Sequence, residues 1–253
     1  MLRIFRALPA DSLRLLVFDL DGTLIDSRQD LCNSVNATLV HFGLKTLPDE
    51  AIAGFIGDGA AMLIRRALSI PGEMPTEIAA PGEAFFDAAF GYFLEYYRAH
   101  KLDFTRCYAG VAEALAELTR MPDGESRRMA VLTNKPVGPA RAICEGLGLS
   151  PYFFSVYGGD SFANKKPDPM GLLRLMAEAG VAPEETLMIG DSDVDVKTAR
   201  NAGAWVLGCS FGLSPETVEL AGPDVLVDHA SEWVSALNAP EVEQVLHQSG
   251  KNL

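Results

Sequence analysis

Basic charge is scarce in this chain: 21 lysines and arginines stand against 34 acids, for a net charge of −13 over 253 residues. That balance argues against nucleic acid or an anionic membrane surface as a partner. An anionic small molecule would also be repelled at long range. Binding one therefore needs a local positive focus, which screening over ~8 Å at physiological salt permits. Long apolar runs are missing too, and none approaches the roughly 20 residues that span a bilayer. Residues 1–10 are too short and interrupted for the apolar region of a signal peptide, so a cytoplasmic location is expected. The four cysteines, Cys32, Cys107, Cys144 and Cys209, have no CxxC spacing, which favours buried reduced thiols over disulfides or thiolate metal sites. His41, His100, His229 and His247 are scattered, without the spacing of a zinc site.

Against these absences stands a pair of carboxylates at the end of an apolar run. Leu15-Leu16-Val17-Phe18 reads as a buried parallel strand, and Asp19-Leu20-Asp21-Gly22-Thr23 follows it directly. Taken alone, this is also what an acidic turn looks like. Three further strings follow in order. Thr133-Asn134-Lys135 comes after the apolar Met129-Ala130-Val131-Leu132. Lys165-Lys166-Pro167 lies in the loop beyond Phe153-Phe154-Ser155-Val156-Tyr157. Gly190-Asp191-Ser192-Asp193-Val194-Asp195 follows Leu187-Met188-Ile189. A hydroxyl, a lysine and an acid pair, each in a loop after a successive strand, form a combination that turn chemistry does not explain.

Strands are expected near 15–20, 129–132, 153–157, 187–189 and 205–207, with a weaker one at 225–227. Helical faces are expected on Val111, Leu115 and Leu118, and on Leu172, Leu173 and Met176. The stretch 193–202 begins acidic and ends Arg200-Asn201-Ala202-Gly203, the charge order and terminal glycine of a helix. This alternation predicts an α/β fold, a doubly wound parallel sheet with right-handed crossovers. Between the first two strands, however, spacing is helical throughout: Leu31, Val35, Leu39 and Phe42, then Phe86, Phe90, Phe93 and Tyr97. The aromatic stripe is read as packing. Pro71 to Pro81 is expected to be a loop, and the tail from Asn238 to fray. The division predicted is a discontinuous catalytic core, 1–26 and 104–253, with a small helical domain at 27–103.

These motifs resemble those of the haloacid dehalogenase superfamily, and most closely its bacterial phosphoglycolate phosphatases. Phe55-Ile56-Gly57-Asp58-Gly59, Gly158-Gly159-Asp160 and Asn164-Lys165-Lys166-Pro167 add to the closer resemblance. The resemblance implies a Rossmann-like core with the first predicted strand central, and a mobile helical cap hinged near 24–27 and 101–104. It implies a Mg²⁺-dependent phosphomonoester hydrolase working through an aspartyl-phosphate, with 2-phosphoglycolate as substrate. Asp19 would be the nucleophile and Asp21 the general acid and base. Thr133 and Asn134 would hold the phosphoryl oxygens, aided by Thr23, and Lys166 would balance the charge. Asp19, the Asp21 carbonyl, Asp191 and Asp195 would serve Mg²⁺, the last through a coordinated water. For the substrate's far end, the candidates are the Gly57-Asp58-Gly59 loop and Arg65 or Arg66, since a guanidinium suits a carboxylate. A solvated turn and solvated arginines are equally consistent with those residues.

Other members of the superfamily remain alternatives: a sugar-phosphate phosphatase, a pyrophosphatase or a phosphomutase. Asp21 disfavours dehalogenases and phosphonate-cleaving relatives, which lack an aspartate there. A phosphorylation-dependent switch protein is disfavoured by the helical insertion. The expected partner is a small phosphate ester, with the protein a monomer or homodimer.

Overall fold

In the computed structural model, residues 2–69, 82–121 and 124–237 are described; the predicted loop at 71–81 and the tail from 238 lie outside them. The chain opens with β1 (Arg3–Ile4), β2 (Leu15–Phe18) and β3 (Ile25–Asp26). Four helices follow: α1 (Arg28–His41), α2 (Asp49–Ala53), α3 (Ala60–Leu68) and α4 (Glu83–His100). Then come β4 (Arg106–Cys107), α5 (Val111–Leu118), β5 (Arg128–Leu132), α6 (Val137–Gly146) and β6 (Ser155–Tyr157). The remainder comprises α7 (Met170–Ala179), β7 (Thr186–Gly190), α8 (Asp193–Ala202) and β8 (Trp205–Cys209). It closes with α9 (Pro215–Leu220), β9 (Val225–Val227) and α10 (Glu232–Leu237).

The main sheet runs β1-β9-β8-β7-β2-β5-β6, parallel except for β1. The expected α/β doubly wound fold is therefore present, with β2 central between β5 and β7. Its strands alternate between two apolar layers. Leu16, Phe18, Met129, Val131, Leu187 and Ile189 face one cluster, with Leu115, Ile143 and Trp233 from the helices on that side. Leu15, Val17, Ala130, Leu132 and Met188 face the other, against Leu172, Leu175, Met176 and Val196. Strands buried on both sides need continuous apolar runs, which is why these stretches carry no polar alternation.

Two details depart from the sequence reading. Leu173 is 44% exposed while Leu175 is buried, so the buried face of α7 is Leu172, Leu175 and Met176. The strand expected at 153–157 shortens to Ser155–Tyr157 behind a tight turn of helix at Ser150–Tyr152.

The insertion α1–α4 enters and leaves through a two-stranded ribbon, Ile25 and Asp26 pairing with Cys107 and Arg106. The return crossing thus lies just beyond the 101–104 expected. Asp30, buried in the first turn of α1, accepts hydrogen bonds from the backbone of Phe104 and from the backbone and hydroxyl of Thr105 (2.7–3.1 Å). Those donors satisfy the buried carboxylate and tie the start of the insertion to its end. The apolar positions of α1 and α4 pack on each other: Leu31, Val35, Leu39, Phe86, Phe93 and Tyr97 are buried.

Candidate active site

Because β2, β5 and β7 are adjacent, parallel and in register, with Phe18 opposite both Val131 and Ile189, their carboxyl ends open at one edge. Ligands of open α/β sheets bind at such an edge, where strand order reverses. Asp19, Thr133 and Asp191 all line the cavity there, of about 50 Å³. The backbone holds them tightly: Asp19 N–H donates to Ile189 O (2.8 Å) and Thr133 N–H to Tyr157 O (3.0 Å).

Carboxylate oxygens of Asp19, Asp191 and Asp195, all buried, lie within 4.8 Å of one another. Burial pushes Asp19 up to about 6, with Lys166 opposing and Asp195 reinforcing. Burial, then the charges of Asp195 and Asp19, raise Asp191 well above the usual carboxylate range. Asp191 accepts from Leu213 N–H (2.7 Å) and from the Thr23 hydroxyl (3.3 Å). The packing around it admits no side chain. A Cβ on Gly22 would sit 2.1 Å from Asp191 Oδ2, and one on Gly212 would sit 2.3 Å from its Cβ. Gly22 also has φ +85°, as its tight turn requires.

Lys166, buried, reaches Asp195 Oδ1 at 2.6 Å and Asp19 Oδ1 at 2.9 Å. The second approach is out of hydrogen-bonding alignment, leaving Asp19 Oδ1 buried without a hydrogen-bond partner. Burial works to lower the Lys166 pKa, yet the Asp19 and Asp195 charges outweigh it and hold the ammonium above its ordinary value. Asp195 spends its other oxygen on the backbone N–H and hydroxyl of Ser192 (3.1 and 2.7 Å), closing the first turn of α8. A cluster of buried carboxylates offering an all-oxygen donor set fits a hard divalent cation. Asp19 and Asp191 line the cavity. Asp195 does not line the cavity and carries the Lys166 ammonium on Oδ1, an arrangement that agrees with the indirect role, through a coordinated water, expected from the sequence.

Asp21 is held differently. The Lys135 ammonium bonds both of its oxygens (2.8 and 2.9 Å), and Ser27 Oγ donates to Oδ1 at 2.5 Å. Lys135 is buried and also lies over the Tyr97 ring, 4.8 Å from its centroid. Sequence reasoning passed over Lys135 as a member of the Thr133-Asn134-Lys135 string and read Tyr97 as packing alone. Position in the string was the available signal for the first; nothing local marked the second.

Of the remaining expected residues, Asn134, Gly57 and Gly59 line the cavity. Asn134 Nδ2 donates to Gly57 O and to Lys166 O (both 3.2 Å), tying the insertion loop to two core loops. Gly59 (φ +88°) lies so close that a Cβ would come within 2.9 Å of Asn134 O. Lys165 donates to the Asp58 carbonyl, a further tie across the same seam. The structure does not bring Thr23, Asp58 or Arg66 to the cavity wall. Thr23 stands behind Asp191. Arg66 pairs with Asp58 and caps the Phe55 carbonyl (3.0 Å), so both brace the loop from outside. Arg65 pairs with exposed Glu83 at 3.0 Å.

The family model described as haloacid dehalogenase-like hydrolase matches residues 16–209. The chain belongs to that family. This haloacid dehalogenase-like hydrolase is 36% identical over 226 residues to the phosphoglycolate phosphatase of Rhodospirillum rubrum, covering 89% of this chain and 91% of that protein. With phosphoglycolate phosphatase 1 of Pseudomonas aeruginosa it shares 37% identity, over 85% of this chain and 76% of that one. Among solved structures, a predicted phosphoglycolate phosphatase from Haemophilus somnus superposes with a TM-score of 0.81 at 29% identity, covering 88% of this chain and 97% of that one. The enzyme is a phosphatase of this family, whose members generally use Mg²⁺. Among the described residues, no helix is long and apolar enough to cross a membrane.

Proposed function

We propose that this phosphatase hydrolyses 2-phosphoglycolate to glycolate and phosphate, with Asp19 as nucleophile. The observation that supports the chemistry is the convergence of Asp19 and Asp191 at one cavity, with the Lys166 ammonium 2.9 Å from Asp19 Oδ1. Asp19 attacks phosphorus, the P–O bond to the glycolate oxygen breaks, and that oxygen takes a proton from Asp21. Asp21 then accepts a proton from the water that cleaves the aspartyl-phosphate, releasing phosphate and restoring Asp19. Thr133 and Asn134 hold the phosphoryl oxygens, and Lys166 keeps Asp19 oriented. Asp19 and Asp191 would hold Mg²⁺, which when bound neutralises charge between the carboxylates and the phosphoryl group. The α1–α4 insertion acts as a cap on the ribbon β3–β4, excluding water when closed.

The substrate reading is supported by the activity that the relatives' names carry. Asp19→Asn tests the chemistry: turnover and trapping of beryllium fluoride should both disappear while the thermal transition stays cooperative. Near-wild-type turnover would remove Asp19 from its role. For the substrate, kcat/KM should rank 2-phosphoglycolate above β-glucose 1-phosphate, pyrophosphate and an aryl phosphate. A higher value for the sugar phosphate or pyrophosphate would leave the hydrolase and discard the ester.

A further inference from the structure

A two-carbon phosphate ester bearing a carboxylate presents two anionic ends to a protein of net charge −13. Lys166 and the metal-binding acids concern the phosphoryl end. The other end needs its own cation or donors, because a carboxylate buried unpaired is costly. Neither arginine near the loop supplies them, since neither lines the cavity: Arg66 turns to Asp58 and Arg65 to Glu83 outside it.

Among the described residues lining the cavity, Lys135 is the one cation. The wall that the insertion contributes is otherwise apolar: Leu31, Ile56, Leu63, Phe93 and Leu94. Within that wall, the Tyr97 hydroxyl is buried beside the Lys135 ammonium and makes no well-formed hydrogen bond. A buried unpaired hydroxyl in a cavity wall awaits a partner. From these contacts we infer that Lys135 and Tyr97 form the subsite for the substrate carboxylate. On binding, the ammonium exchanges the Asp21 carboxylate for that of the substrate, and the Tyr97 hydroxyl donates to the same group.

The exchange conserves charge, because one carboxylate replaces another at a buried ammonium. Asp21 keeps Ser27 as its side-chain partner and, once off the ammonium, takes a proton from solvent and delivers it to the leaving oxygen. Lys135 comes from the core and Tyr97 from α4, so a carboxylate held by both also closes the insertion over the site. Burial pushes the Tyr97 phenol up to about 12, so at neutral pH it carries the proton it donates. The same wall disfavours a sugar, whose several hydroxyls would find apolar side chains where they need hydrogen bonds.

This inference rests on the 2-phosphoglycolate reading, and the two are separated by comparing that ester with ethyl phosphate, which has a methyl group in place of the carboxylate. Wild-type enzyme should prefer 2-phosphoglycolate strongly. In Lys135→Gln the ratio of the two kcat/KM values should fall about 30-fold or more, the equivalent of losing a buried charge-assisted contact. In Tyr97→Phe, which preserves packing, it should fall about 5- to 10-fold, mainly through KM for 2-phosphoglycolate. A residue that merely braces Asp21 would depress both esters in proportion. If both variants keep the wild-type ratio, the subsite is refuted while the substrate stands. If wild-type enzyme shows no preference, the substrate reading and the subsite fall together. Should Lys135→Gln fail to fold, Tyr97→Phe decides alone.

Discussion

Asp195→Ala separates two accounts of an acid that belongs to the carboxylate cluster yet faces away from the cavity. The substitution removes the 2.6 Å partner of buried Lys166 and the carboxylate that reaches back to Ser192 at the start of α8. Breaking a buried ion pair costs about 3–5 kcal/mol, and losing a capping side chain about 1 kcal/mol. Two effects act in the other direction: Lys166 keeps Asp19 at 2.9 Å, and one of three clustered acids is gone. A net loss of roughly 3 kcal/mol is expected, read as a lower urea midpoint at unchanged slope. Lys166 will also shift, and misplacing a group beside the nucleophile by about 1 Å costs on the order of 100-fold in kcat/KM. The deciding assay is a Mg²⁺ titration of the variant. If Asp195 acts through Lys166, saturating Mg²⁺ will not restore turnover. Restoration by raised Mg²⁺, or a stability loss below about 1 kcal/mol, would refute the clamp and return Asp195 to the metal.

Gly22→Ala would force a Cβ to 2.1 Å from Asp191 Oδ2 at φ +85°, so a loss of about 1–3 kcal/mol and nearly all turnover is expected by thermal unfolding and phosphatase assay; retention of half the activity would contradict the packing described. The metal-free enzyme should show a pH signature. Asp19 stands at about 6 in the fold, above its unfolded value of about 3.9, so its contribution is full below pH 4 and is lost as pH rises through 6. That loss is on the order of 3 kcal/mol, and Mg²⁺ should recover it. The Tm gap between Mg²⁺-loaded and chelated protein should therefore widen from pH 4.5 to 7.5, and a gap constant with pH would disprove the linkage.

How far these features could be read from the chain depended on the range of the interaction behind them. Buried strands in a parallel sheet are apolar on both faces, so β2, β5, β7 and β8 stand out as local runs, and the polar residue after each run is marked with them. The helix α8 declared itself by its acidic start and by Gly203, whose φ of +75° ends it. Two-residue strands leave no periodicity, so the ribbon of Ile25–Asp26 with Arg106–Cys107 was invisible, and so was the pairing of Asp30 with Thr105 across it. Arg66 and Lys135 show the same limit at the site. Sequence assigned each a charge and a neighbourhood, but which acid each one meets depends on how distant segments pack. Arg66 turns from α3 back to Asp58 in the loop just before that helix, whereas Lys135 crosses to Asp21 on another strand's loop and to Tyr97 on α4. Sequence alone thus determined the layers of the sheet and the loops that carry its chemistry. The tertiary structure decided which charges are already spoken for, because a buried charge takes whichever partner the packing brings within reach.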